Sequence, residues 1–151
     1  MSLDLFEELI ELTAALEADA VEYALAGALA LAVYGVPRAT ADIDLLVRPE
    51  AVERALAAGR TRGFMVAAMP MRFSDGLELR RVTKLAGEDV LTLDLLLVDA
   101  DTEEAWRDRQ VVETGRGKLW VVSRRSLIQM KVRAGRDQDL ADLRRLEEAD
   151  R

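Results

Sequence analysis

Leu5, Leu9, Leu12 and Leu16 recur at three- and four-residue intervals with Glu and Asp between them, which is the spacing of one apolar stripe on a helix. A short apolar stretch, Tyr23 to Ala26, ends at Gly27. Ala28 to Tyr34 is rich in helix formers and stops at the breaker Gly35-Val36-Pro37. Ile43 to Val47 reads as a buried strand, and Pro49 then opens a helix over Glu50 to Arg60.

The middle of the chain is strand-like. Phe64 to Met69, Leu77 to Leu85 and Val90 to Val98 are separated by Asp75-Gly76 and by Gly87-Glu88-Asp89. The last of these runs is almost wholly apolar and predicts a central strand, with Asp94 conspicuous inside it. Asp101 to Asp108 reads as helical. Val111-Val112 and Leu119 to Val122, with Gly115 and Gly117 between them, suggest a hairpin. Ser123 is placed to cap a helix through Ala134, and Asp137 starts a last helix. The order predicts an α+β domain: a mixed β-sheet flanked by helices, with a C-terminal helical pair. No linker, repeat or low-complexity tract divides residues 1–151, so a single domain is expected.

Composition narrows the chemistry. The 151 residues include no cysteine and no histidine, which excludes disulfides, thiolate nucleophiles, imidazole bases and His- or Cys-based metal sites. Carboxylates, Lys, Arg, Tyr, hydroxyls and backbone groups remain, and the natural cofactor of such a set is a hard, oxygen-bound cation, Mg²⁺ above all. The net charge of −7 argues against broad non-specific nucleic-acid binding. The longest apolar run, Tyr23 to Val36, is too short to span a bilayer and is broken by Gly27 and Gly35, so a cytoplasmic location without a membrane partner is expected.

The stretch from Gly27 to Val47 carries the strongest signal. Asp42 and Asp44 flank Ile43 at the start of a strand, and a side-chain period of two puts both carboxylates on one face. Like charges so placed repel each other unless a cation lies between them. Asp94 is a third carboxylate in an apolar run, where an unpaired charge is very costly. If the two strands are neighbours, the three acids converge as an oxygen-ligand set for Mg²⁺. Gly27 lies where a strand turns into a helix, so backbone amides there are open to a phosphate. Arg38 and Thr40, just before the acidic pair, are able to donate to phosphate oxygens.

The same stretch resembles the signature of the polymerase-beta-type nucleotidyltransferase superfamily, Gly-(Gly/Ser), a short helix, then Asp-x-Asp. It is most similar to the small bacterial branch of AbiEii-like toxin nucleotidyltransferases, in which the pattern runs Gly-Gly-x-Ala-x-x-x-(His/Tyr)-Gly-x-x-Arg-x-Thr-x-Asp-Ile-Asp-Leu. Gly27, Ala30, Tyr34, Gly35, Arg38, Thr40, Asp42, Ile43, Asp44 and Leu45 fall on it. Leu127 to Lys131 and Ala134 to Leu143 are similar to the family's C-terminal end, where a Lys and an Arg-x-x-Asp helix border the nucleotide. The resemblance implies a nucleotidyltransferase fold and transfer of a nucleoside monophosphate from an NTP to an acceptor. Asp42, Asp44 and Asp94 would hold Mg²⁺ and carry catalysis; Gly27, Ala28, Arg38, Thr40 and Lys131 would bind the nucleotide. The acceptor is a small molecule, a tRNA or a protein, and a homodimer or a toxin–antitoxin partner is implied. One position departs: Ala28 stands where the family usually has Gly or Ser, so a hydroxyl donor is lost while backbone amides remain.

Structural readings compete at each position. An Asp-x-Asp pair is often a solvated strand end, and Asp94 could instead be a core acid paired with Arg80 or Arg81. Thr40 and Arg38 could form an ordinary loop, Lys131 a solvated helix position, and Arg136, Asp137, Asp139 and Asp142 a set of intrahelical ion pairs. Trp106 and Trp120 read as packing residues, and the N-terminal leucines as a core-facing or dimerising stripe. The functional alternative is a catalytically degenerate module that keeps the fold for binding or regulation, with Ala28 as its main support.

Overall fold

The computed structural model describes residues 4–37 and 39–149. Helix α1 (Leu5–Ala18) buries Leu9, Leu12 and Leu16, so the leucine stripe faces the core. Its N-cap is Asp4, whose carboxylate accepts from the Glu7 amide at 3.1 Å. Strand β1 (Ala24–Ala26) runs straight into α2 (Gly27–Val33), and β2 (Asp42–Val47) follows. Helix α3 (Val52–Thr61) is preceded by a tighter 3-10 turn over Pro49–Ala51, not by α-helix from Glu50. Proline, which fixes φ and lacks an N–H, suits such a tightened first turn.

Strands β3 (Phe64–Ala67), β5 (Glu78–Ala86) and β6 (Asp89–Leu97) occupy the three expected runs. The extra strand β4 (Met71–Arg72) has two residues, too few to show a periodicity. Helix α4 (Glu103–Arg107) leads to the hairpin β7 (Gln110–Thr114) and β8 (Gly117–Val121). The chain ends in α5 (Arg124–Ala134) and α6 (Asp137–Ala149). Ser123 caps α5 by accepting from the Ser126 amide at 3.0 Å. Gly135 closes the helix in the left-handed region, φ 62°, and its N–H donates to the Lys131 carbonyl at 2.9 Å.

One mixed sheet in the order β3-β5-β6-β2-β1-β8-β7 runs through the molecule, with β4 paired on β5. Strand β2 is parallel to β6 and antiparallel to β1, which is parallel to β8; the other pairs are antiparallel. Ile43 and Leu93 are register partners and fully buried, and Leu93 lies against Gly59 of α3. Helix α3 packs on β3 and β6, and α1 on α3 and β8. Because side chains alternate along a strand, Asp42, Asp44 and Asp94 must face the other way. On that side α5 packs with α6, α2 and α4. Trp106 is buried, while Trp120 is partly exposed with the Arg109 guanidinium between the two rings, 4.0 and 5.1 Å from their centres. Among the described residues no helix is long and apolar enough to cross a membrane.

Candidate functional site

The condition for convergence of the acids is met by the sheet. Strands β2 and β6 are adjacent and parallel, Asp44 is the register partner of Asp94, and Asp42 pairs with Thr92. Asp42 is exposed, Asp44 is half-buried and Asp94 is 3% exposed, so the three carboxylates descend from the rim of a cleft into the sheet.

Asp44 is pressed against the turn between β1 and α2. Gly27 has φ +67°, and a Cβ placed on it would lie 2.0 Å from Asp44 Oδ2 and 2.9 Å from its Cγ. Glycine is required here twice over, for the left-handed backbone and for the space the carboxylate fills. Among the described residues no hydrogen bond is donated to the Asp44 carboxylate. Burial, and then the negative charges of Asp94 and Asp42, push its pKa up from 3.8 to about 7, against the opposing pull of Lys131 and Arg136. Such a carboxylate is short of positive charge. The first turn of α2 receives no side-chain cap from Ala26, and Ala28 is buried behind it.

Asp94 has a counter-ion already. Arg81, its cross-strand partner on β5, donates through Nε to Oδ1 at 2.8 Å and through Nη2 to Oδ2 at 3.0 Å. This is the two-pronged arrangement that suits a guanidinium to a carboxylate. Among the described residues, no three carboxylates stand together in a group fit to hold a metal ion as they are. The site consists of the Asp42–Asp44 pair beside a third acid engaged by arginine.

Lys131 is not a solvated position. It is buried on α5, with Nζ 3.0 Å from Asp142 Oδ2 and 3.4 Å from Asp139 Oδ1. Asp139 also accepts from Arg136 Nε at 2.7 Å. Burial alone would raise the Asp139 carboxyl, but Arg136 and Lys131 hold it below its ordinary value. Of the expected local ion pairs Arg136–Asp139 is present, while Asp142 accepts from Gln138 at 3.0 Å, and both acids also bind α6 to α5 through Lys131. Thr40 lies at the cleft mouth, where its hydroxyl accepts from the Asp42 amide at 3.1 Å and keeps a proton to donate. Arg38 lies outside the described residues.

These elements enclose a cleft of about 290 Å³ that is lined by Gly27, Ala28, Thr40, Asp42, Asp44, Asp94 and Lys131 together. Every described candidate residue meets in one place. Its other wall is the turn from Phe73 to Leu77, which Arg133 ties to α5 by donating to the Asp75 carbonyl at 2.8 Å. The Tyr34 hydroxyl donates to the Val122 carbonyl at 2.8 Å and fixes the end of α2 to the start of α5.

The fold has counterparts among solved structures. The crystal structure of TM1012 from Thermotoga maritima, a candidate nucleotidyltransferase, superposes with a TM-score of 0.64 at 18% identity, covering 95% of this chain and 92% of that one. The antibiotic-resistance factor ANT(2'')-Ia in solution matches at 0.60 and 14% identity, over 95% and 84% of the two chains. The same factor in complex with adenylyl-2''-tobramycin matches at 0.58 and 15% identity, over 94% and 90%. The protein has the nucleotidyltransferase fold. No family model matches the chain, and no curated protein matches it.

Within that nucleotidyltransferase fold, Arg81, Phe73, Asp75, Arg133 and Arg136 also line the cleft. In the sequence Arg81 stood out only as one of two arginines that could neutralise Asp94. A sharper signal was present. Counting back equally on both sides of the tight Gly87-Glu88 turn leads from the pair Ala86–Asp89 to the pair Arg81–Asp94. Phe73, Asp75 and Arg133 had no such signal, because their meeting depends on how α5 packs over the sheet.

Proposed function

We propose that the protein is a Mg²⁺-dependent nucleotidyltransferase that moves a nucleoside monophosphate from an NTP to a hydroxyl of a small-molecule acceptor. The observation that carries this reading is the placement of Asp42, Asp44 and Asp94 on adjacent parallel strands, in one cleft with the Gly27 turn. The donor set suits a hard cation: Asp42 and Asp44 lie on one face with no counter-ion bonded to their carboxylates among the described residues, and burial, with the charges of Asp94 and Asp42, raises the Asp44 carboxyl. Asp94 keeps spare lone pairs beside its Arg81 bonds. Bound there, Mg²⁺ would polarise the α-phosphate and offset the charge on the leaving pyrophosphate.

The chain's own residues supply the rest. Gly27 and Ala28 present backbone, and Thr40 a hydroxyl, along the wall where a triphosphate would lie, with Arg38 just before Thr40 in sequence. Lys131 fixes α5 and α6 as the facing wall and adds positive charge. Asp94, the deepest acid, would take the proton as the acceptor oxygen bonds to the α-phosphorus and pyrophosphate departs. A small acceptor is favoured by the net charge of −7, which is poor for a large RNA footprint, and by the adenylylated tobramycin bound in one structural neighbour. The AbiEii-like branch rests on the positions between Gly27 and Leu45 and implies a toxin–antitoxin setting.

A second reading, a module that binds without transferring, is favoured by Ala28 and by the occupation of both Asp94 oxygens by Arg81. Pyrophosphate release separates the two. Incubation with each NTP, Mg²⁺ and a panel of amino sugars and polyols should release pyrophosphate and add one nucleotide mass to an acceptor, with loss of both in Asp44→Asn. Mg²⁺-dependent NTP binding without release on any acceptor would favour the second reading.

A further inference from the structure

Arg81 is the only described side chain that hydrogen-bonds the Asp94 carboxylate, and it opposes Asp94 directly across β5 and β6. Its own side chain is 35% exposed and lines the cleft, whereas that of Asp94 is 4% exposed. One partner is thus fixed in the sheet, and the other reaches in from the open side. Asp42 and Asp44 lie near enough to act on the same guanidinium, after Asp94 itself. A cation already sits where three carboxylates would otherwise demand one.

We propose that Arg81 is a resident counter-ion that competes with the divalent cation for Asp94 and hands that carboxylate over when nucleotide arrives. This rests on the metal reading of Asp42, Asp44 and Asp94. Without nucleotide, the ion meets two carboxylates and an arginine, so its affinity is weak. With nucleotide, the triphosphate offers Arg81 an alternative partner of matching geometry, because a guanidinium binds phosphate oxygens as readily as carboxylate. Released from Asp94, Arg81 becomes a phosphate ligand, and Asp94 becomes available to the metal. Nucleotide and metal then bind with positive coupling, and by linkage each strengthens the other by the same factor. Arg81 is a positioning residue for Asp94 in the empty protein and a substrate ligand in the loaded one.

The test is metal binding in the absence of any reaction. Titration of Mn²⁺, as a spectroscopic stand-in for Mg²⁺, is followed by calorimetry and by electron paramagnetic resonance. The proteins are the unaltered chain, Arg81→Gln, Arg81→Lys and the double variant Arg81→Gln/Asp94→Asn. Without nucleotide, Arg81→Gln should bind Mn²⁺ about tenfold more tightly than the unaltered chain, and the gain should vanish in the double variant. Arg81→Lys, which keeps the charge but loses the fork, should lie between them. ATP should tighten Mn²⁺ binding strongly in the unaltered chain and much less in Arg81→Gln.

Loss of Arg81 also strips a buried carboxylate of its partner, so melting temperatures accompany the titrations. Saturating Mn²⁺ should raise that of Arg81→Gln more than that of the unaltered chain, which a merely structural arginine would not produce. Equal Mn²⁺ affinity in Arg81→Gln and the unaltered chain, with ATP-dependent binding intact and lost in Asp44→Asn, overturns the role of Arg81 alone. No Mn²⁺ binding by any of the proteins, with or without ATP, overturns the metal reading beneath it.

Discussion

Replacing Gly27 by alanine tests the packing on which the site depends. The new Cβ would stand 2.0 Å from Asp44 Oδ2, 2.9 Å from Cγ and 3.0 Å from Cβ. The carboxylate is able to rotate away, but the Asp44 Cβ is fixed to a strand whose register with β1 and β6 is set by neighbours on both sides. A left-handed φ of +67° adds a separate cost for any side chain. Backbone strain of about 1–2 kcal/mol and overpacking of about 1–3 kcal/mol together predict a loss of about 2–5 kcal/mol. Urea unfolding in EDTA measures it, provided the denaturant slope is unchanged. A double-mutant cycle with Asp44→Ala isolates the contact. Truncating Asp44 removes Oδ2 and Cγ, so the two changes should couple by about 1–2 kcal/mol, the second relieving part of the first. Coupling within error of zero would refute the claim that the carboxylate is packed on Gly27. A Gly27→Ala protein as stable as the parent would refute the backbone argument as well.

Further outcomes follow from the same geometry. The folded pKa of Asp44, about 7, lies above its unfolded value near 3.8, so the folded state holds the extra proton between those pH values. Stability from this group is therefore present below about pH 4 and lost as pH rises through about 7, by no more than about 4 kcal/mol. Melting curves across that range in EDTA should show Asp44→Asn gaining on the parent as pH rises and levelling above neutrality. A constant difference would contradict the shift. Lys131→Met removes the ammonium that buried Asp139 and Asp142 share, leaving Asp139 to Arg136 and Asp142 to Gln138, and should cost about 3 kcal/mol in urea unfolding, whereas breaking the exposed Arg72–Glu78 pair should cost no more than about 1 kcal/mol. Ser123→Ala removes the α5 cap and the hydroxyl that donates to Asp108 at 2.8 Å, and should cost about 1–2 kcal/mol by the same assay.

The parts of the fold that were legible in the sequence are those governed by local physics. The Leu5 to Leu16 stripe, the Ser123 cap and the three central strands each follow from spacing or a single capping side chain. The strand pair that unites Asp44 with Asp94 did not, since β2 and β6 are joined by a long stretch of chain and parallel register is set by packing. That link stood in the sequence only as a condition: if the two strands were neighbours, the three acids would converge. The same reasoning weighed Asp94 as metal-bound or arginine-paired, and Arg81 turned out to hold it with both prongs. What was underweighted was cross-strand neighbourhood: no cation lies beside Asp94 along its own strand, and the one that matters sits across a hairpin. The burial of Lys131, a candidate from the resemblance alone, was hidden for a related reason. Its burial depends on α6 folding back to offer Asp139 and Asp142, a tertiary event that residue type alone does not announce.

Calorimetric titration of each NTP into the protein, with Mg²⁺ and then with EDTA, tests the central claim most directly when set beside Asp42→Asn/Asp44→Asn. Binding that needs Mg²⁺ and disappears in the double variant is the result predicted for a cleft built to hold a metal–nucleotide pair. Binding that survives both EDTA and the loss of the two carboxylates, or no binding of any NTP, would contradict it.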